Sequence, residues 1–285
     1  MTGILFILLS VACSLLIAHF LKMLETRGLD TLRVLTVNYF VAVIAALGIN
    51  LVNGAGFLPD FPLWLYGLSA FVGFIFIANF FIFSKSTHQN GVGVSVAAMR
   101  LSLLLPVIIS VVLFNEEVTL LRGMGFFLVL VSLTLLVASR KGFRLGAVNS
   151  HWLLIGIFLF TGIGDASMKV FEQKGLAGGT EAHYMAVVFF SALVAGLVTS
   201  GVRNNIRFTK PEIKMGVLIG IPNLLTSIFL IRALMHADGV FVYPAVNVLI
   251  IIGGALVGKL YWDDRISRLE AGGMIMAIMA ILFLL

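Results

Sequence analysis

Three ionisable side chains stand inside stretches that are otherwise apolar, and their spacing narrows the chemistry open to them. Arg100 lies in Ala98-Met-Arg-Leu-Ser102, and Asp165 and Lys169 lie in Gly162-Ile-Gly-Asp-Ala-Ser-Met-Lys169. Four residues apart on a helix is one turn, so Asp165 and Lys169 share a face. A charge within lipid is costly and usually faces a cavity or another protein group. The pattern predicts Arg100 as a donor to an anionic group, and Asp165 as a carboxylate that exchanges a proton beside Lys169. The plain alternatives are an Arg100 that snorkels to the headgroups and an Asp165–Lys169 ion pair that only shapes its helix.

Neutral polar groups extend the set. Asn38, Asn79, Asn223 and Asn247 put carboxamides into apolar stretches, and Tyr243 stands four residues before Asn247 with Pro244 between them. Each asparagine alone is as well explained by a helix–helix hydrogen bond. Asn223 follows Pro222, which removes an amide donor and frees a carbonyl, a feature of interrupted helices that line binding sites. The predicted substrate-contacting set is therefore Asn38, Asn79, Arg100, Asn223, Tyr243 and Asn247, with Asp165 and Lys169 as the coupling pair. No catalytic constellation, metal-ligand cluster or phosphate-cradling Gly-rich loop is recognisable, so no enzyme, no metal and no cofactor is expected, and intrinsic ATP drive is disfavoured.

The elements that position these residues follow from composition. Of 285 residues, 60% are hydrophobic and 11% charged, and the mean hydropathy is +1.12. That excludes an ordinary water-facing surface. A bilayer core of roughly 30 Å takes about 20 apolar residues per helix, and lipid obliges each backbone to satisfy its own hydrogen bonds. Ten apolar spans are predicted: 3–24, 31–52, 63–84, 94–114, 120–139, 152–173, 182–200, 214–235, 240–261 and 268–285. The net charge of +6 reflects basic residues in short loops and implies no nucleic acid partner. The single cysteine, Cys13, is read as a packing residue. The first apolar run has no basic segment before it or cleavage signal after it, and is read as a retained span.

The chain is also written twice. His88–Leu136 laid on His236–Leu284 at a shift of 148 matches His88/His236, Gly91/Gly239, Val92/Val240, Gly125/Gly273 and Leu136/Leu284, with Asn115-Glu116 facing Asp263-Asp264 and Thr119 facing Ser267. Leu21–Leu29 lies on Met168–Leu176 at a shift of 147, pairing Lys22 with Lys169 and Ala18 with Asp165. Five spans per repeat is odd, so the second repeat enters from the opposite face. The organisation is a first repeat over 1–140, a linker over 141–151 and a second repeat over 152–285. Loops after the odd-numbered spans carry fourteen Lys and Arg, and the other side four, which places the former in the cytoplasm and both termini outside.

Repeats ending in an apolar span, an acidic residue and a glycine nine positions on, here Glu116 with Gly125 and Asp264 with Gly273, resemble the ten-span EamA-type members of the drug/metabolite transporter superfamily. Asp264 replaces the more usual glutamate, and Asn115 stands where the family often has glycine. The resemblance implies an all-α integral membrane protein of ten transmembrane helices in two inverted five-helix repeats, around a cavity lined by the first four helices of each. The expected function is secondary transport of a small polar or amphoteric, amino-acid-like metabolite across a bacterial cytoplasmic membrane, by a permease that is a monomer or homodimer. Protons are the coupling ion if transport is gradient-driven. A flippase for a phosphorylated or lipid-linked metabolite is the alternative within transport; an integral-membrane enzyme or a non-transporting scaffold is the alternative outside it.

Glu116 and Asp264 are read as carboxylates near positive helix ends, with Thr119 and Ser267 as N-caps. His88 and His236 mark matching bends and are read as architectural, with a pH-sensitive gate as the other reading. Gly216-Val-Leu-Ile-Gly220 and Gly254-Ala-Leu-Val-Gly258 are read as close-contact surfaces between helices.

Overall fold

A computed structural model describes residues 2–54, 56, 61–138, 148–203, 207–261, 263 and 267–284. The expected linker over 141–151 falls largely outside them, as do Pro59, Asp264 and Arg265. Among the described residues the chain is all-helical: α1 (Thr2–Thr26), α2 (Thr31–Val52), α3 (Leu63–Asn90), α4 (Val92–Leu101), α5 (Leu104–Phe114), α6 (Leu120–Ala138), α7 (His151–Phe171), α8 (Glu181–Val202), α9 (Lys210–Leu234), α10 (Gly239–Tyr261) and α11 (Arg268–Leu284). A π-turn over Glu172–Leu176 extends α7. Taking α4 and α5 as one run, eight helices are long and apolar enough to cross a membrane, and Leu120–Leu136 is a shorter apolar helix. These helices fit an integral membrane protein.

Local sequence explains the helix ends. Asp30 Oδ1 accepts the Arg33 amide at 3.0 Å to start α2. Thr209 and Glu212 form a capping box for α9, with Pro211 in the first turn where its missing N–H costs nothing. Thr119 Oγ1 accepts the Arg122 amide at 3.2 Å and Ser267 Oγ the Glu270 amide at 3.1 Å, so both predicted caps are present.

Three details differ from expectation. The span expected over 94–114 is found as an apolar run over Val92–Phe114, but as two helices parted at Ser102–Leu103 rather than one. Pro106 has no N–H for the Ser102 carbonyl four residues back; Leu105 N takes that carbonyl instead at 3.0 Å, and Ser102 Oγ donates to Met99 O at 2.6 Å. Pro222, by contrast, does not interrupt α9, which runs through it. Gly254 meets nothing within 4 Å where a Cβ would stand, so among the described residues it makes no close helix contact.

The chain resolves into two compact units, each drawn from both halves of the sequence: residues 1–77 with 170–235, and residues 78–169 with 236–285. In the first unit α1 packs on α9, and α2 on α8 and α9. Gly216 and Gly220 allow that approach, since a Cβ at either would lie 3.0 Å from Val34 O or 2.9 Å from Asn38 O. Leu24, Val34, Met215 and Ile219 form a core cluster there. In the second unit α6 packs on α11 reciprocally. A Cβ on Gly125 would meet Leu284 at 2.9 Å, and one on Gly273 would meet Leu136 at 2.8 Å.

Candidate functional site

Helix α7 carries Thr161, Asp165 and Lys169 at intervals of four. At 1.5 Å per residue they form a stripe about 12 Å long on one face. Each position meets a different element of the second unit. Asn79 Nδ2 of α3 donates to Thr161 Oγ1 at 3.0 Å. Tyr243 of α10, 2% exposed, donates its hydroxyl to the Asp165 carbonyl at 2.9 Å. Lys169 Nζ lies 2.8 Å from Glu116 Oε1 in the bend between α5 and α6.

The Asp165 carboxylate has Arg100 as its charged neighbour. Arg100 belongs to the last turn of α4, just before the break at Ser102, and its Nη1 donates to Asn247 Oδ1 of α10 at 3.3 Å. Asn247 Nδ2 in turn donates to Tyr243 O at 3.1 Å. The break has room because α7 approaches through a glycine: a Cβ on Gly162 would lie 2.9 Å from Ser102 O and 2.7 Å from Leu105 Cβ. Arg100, Asp165 and Asn247 are all half-buried. The cluster therefore holds a planar donor, a carboxylate and a carboxamide that retain some exposure, and a zwitterion presents groups complementary to the first two.

The Asp165–Lys169 pair read from spacing is replaced. Lys169 pairs with Glu116, and Asp165 lies within electrostatic reach of Arg100. Sharing a helical face made the first pair feasible, but a buried ammonium gains more from a carboxylate that is itself fixed. Glu116 is fixed in that way: it accepts Gly239 N on Oε1 and Val240 N on Oε2, both at 2.9 Å. Its helix-end role is thus played at the N-terminus of α10 rather than beside its own cap, Thr119.

Asn38 and Asn223 belong to the first unit. Asn223 Nδ2 donates to Asn38 Oδ1 at 3.2 Å, and Asn38, fully buried, keeps an Nδ2 with no partner. His88 and His236 are exposed. Spacing alone did not single out Thr161, Pro106 or the amides of Gly239 and Val240. Pro106 was the available signal, because a proline in an apolar run frees the carbonyl four residues earlier. No group of three or more His, Cys, Asp or Glu able to hold a metal occurs among the described residues.

Comparison with known proteins adds a fold and no activity. No family model matches the chain. An uncharacterized protein of Haemophilus influenzae is 25% identical over 289 residues, spanning 96% of this chain and 95% of its own. A solved protein crystal structure superposes with a TM-score of 0.72 at 14% identity, covering 99% of this chain and 95% of that one. That likeness is one of fold.

Proposed function

We propose that the chain is a secondary transporter of a small polar or amphoteric metabolite, an EamA-type permease working by alternating access across a bacterial cytoplasmic membrane. The observation that carries this reading is the half-buried Arg100–Asp165–Asn247 cluster, borne by α4, α7 and α10 of a chain whose helices are long and apolar enough to span lipid. Charge inside such helices is retained chiefly where it handles a solute or an ion. Arg100 is the group that holds the substrate's anionic end, and Asp165 is the coupling carboxylate.

Ten spans in two inverted five-helix repeats fit this reading. Two observations favour them: the reciprocal Gly125–Leu284 and Gly273–Leu136 contacts, and the left-handed backbone of Asn115 and Asp263. Both sets relate positions 148 residues apart. An antiparallel pair with reciprocal contacts is what a local two-fold axis between inverted repeats generates. The Lys and Arg distribution puts both termini outside. Maleimide labelling of single cysteines at Asn53 from outside and Lys141 from inside tests that orientation, and the reverse pattern rejects it.

The functional test is reconstitution of the full chain in liposomes with screening of metabolite pools for uptake, with and without an imposed pH gradient. Gradient-dependent uptake of a polar metabolite is expected. Asp165→Asn keeps shape but exchanges no proton, so it should abolish accumulation while sparing downhill exchange. Accumulation that survives in the mutant removes Asp165 from coupling. Phospholipid or phosphorylated-metabolite translocation without soluble uptake would favour the flippase instead.

A further inference from the structure

We propose that Glu116, which touches none of the cluster residues, is a positioning residue that sets the height of α10 and thereby places Tyr243 and Asn247 against Asp165 and Arg100. The inference rests on the transport reading for its consequence, but its geometry stands without it. Both carboxylate oxygens of Glu116 are engaged, Oε1 with Gly239 N and Lys169 Nζ, and Oε2 with Val240 N. Two successive amides bonded to one carboxylate fix a helix axially, because sliding α10 by a single residue moves it about 1.5 Å and breaks both bonds. Tyr243 follows Gly239 by four residues and Asn247 follows Tyr243 by four, so these three positions lie along one face of α10.

Lys169 carries the same restraint to α7. It leaves that helix one turn after Asp165, so α7 and α10 are joined at two heights, through Lys169–Glu116–Gly239/Val240 and through Tyr243–Asp165. The side chains of Lys169 and Glu116 are 1% and 7% exposed, so the restraint is shielded from solvent competition. Its base is held in turn. Asn115 adopts a left-handed conformation, and Glu116 N donates to Ser110 O at 3.1 Å. Arg122 clamps the same bend, donating from Nη1 to Glu117 O at 3.1 Å and to Asp238 Oδ2 at 2.9 Å. The bend between α5 and α6 is thereby stapled to the start of α10.

The test combines two readouts that need no substrate with one that does. In Glu116→Gln the neutral carboxamide keeps the shape but offers one acceptor oxygen, so one of the two amides loses its partner. Hydrogen exchange at Gly239 and Val240 in the full chain in liposomes should accelerate at least about tenfold, which is about 1.4 kcal/mol of lost protection. Reactivity of Asn247→Cys, in a Cys13→Ser background, towards a small methanethiosulfonate should change in parallel. Where uptake is measured, KM should rise more than maximal rate falls, and Glu116→Asp, which keeps the charge, should recover part of it. Faster exchange with unchanged reactivity at 247 would make Glu116 a helix cap only and overturn the proposal, as would native exchange and KM in folded Glu116→Gln. If Glu116→Gln does not fold, Glu116→Gln with Lys169→Met removes the stranded ammonium and carries the same readouts. Absence of any transported metabolite would count against the transport reading while leaving the exchange and reactivity results to decide positioning.

Discussion

Two ionic groupings a turn apart on α7 differ in almost every physical respect. Lys169 with Glu116 is closed off from solvent, and the carboxylate has two backbone amides besides the ammonium. Asp165 with Arg100 is half-buried, and the guanidinium reaches Asn247 Oδ1 through a long bond of 3.3 Å. A buried pair repays its desolvation only when its remaining hydrogen-bonding capacity is filled, and the first grouping meets that condition. The second keeps some exposure at Arg100, Asp165 and Asn247, which the first does not. The difference teaches how to sort charges in an apolar chain: a closed pair with both carboxylate oxygens engaged marks architecture, and a polar cluster that keeps some exposure is where a ligand is to be sought.

The largest effect that separates the two is expected at Lys169. Lys169→Met leaves the Glu116 carboxylate buried with its two amides and no counter-charge, a loss of about 3–5 kcal/mol. Folded yield and thermal midpoint in detergent should fall sharply, and Glu116→Gln in the same chain should restore most of both. A Lys169→Met protein as stable as the parent would dissolve the distinction, because the closed pair would then carry no more structural weight than the open one.

How much of this was legible in the residues depended on range. Helix bounds mostly came within four residues of those expected because apolar run length is local, although α3 runs six residues past the expected end at 84. The caps at Thr119 and Ser267 and the close approach at Gly216 and Gly220 were equally local. What failed was partner choice. In helices apolar nearly all round, no amphipathic face announces which neighbour a side chain meets, so spacing pairs Lys169 with Asp165 one turn back on its own helix instead of with Glu116, 53 positions earlier. The break at Ser102 was hidden for a related reason: Pro106 adds nothing to an apolar count, although it alone removes the amide that would have continued the helix. Pro222 drew the opposite error, since α9 stays helical through it and Asn223 meets Asn38. Six of the eight predicted site residues fell in one compact unit, Asn79, Arg100, Asp165, Lys169, Tyr243 and Asn247, while Asn38 and Asn223 pair in the other.

The smaller effect on stability, and the sharper one on function, belongs to Arg100. Arg100→Gln gives up the charge near Asp165 and, being shorter, the bond to Asn247. Interhelical hydrogen bonds in membrane proteins are worth about 0.6 kcal/mol on average, so the thermal midpoint should move little. Uptake should differ if the proposed transport role holds, because a charge-assisted contact from Arg100 to a substrate carboxylate would then be lost whole. Hydrogen bonds to charged groups contribute about 1.5–3 kcal/mol, so KM should rise by roughly one to two orders of magnitude at 1.4 kcal/mol per decade. Arg100→Lys discriminates further, since an ammonium keeps the charge and loses the planar fork. If the guanidinium grips a carboxylate with two parallel bonds, lysine should recover only part of the loss. If Arg100 serves only to balance Asp165, lysine should restore uptake fully. Unchanged kinetics in Arg100→Gln would place the guanidinium with the headgroups, and the open grouping would then be as architectural as the closed one.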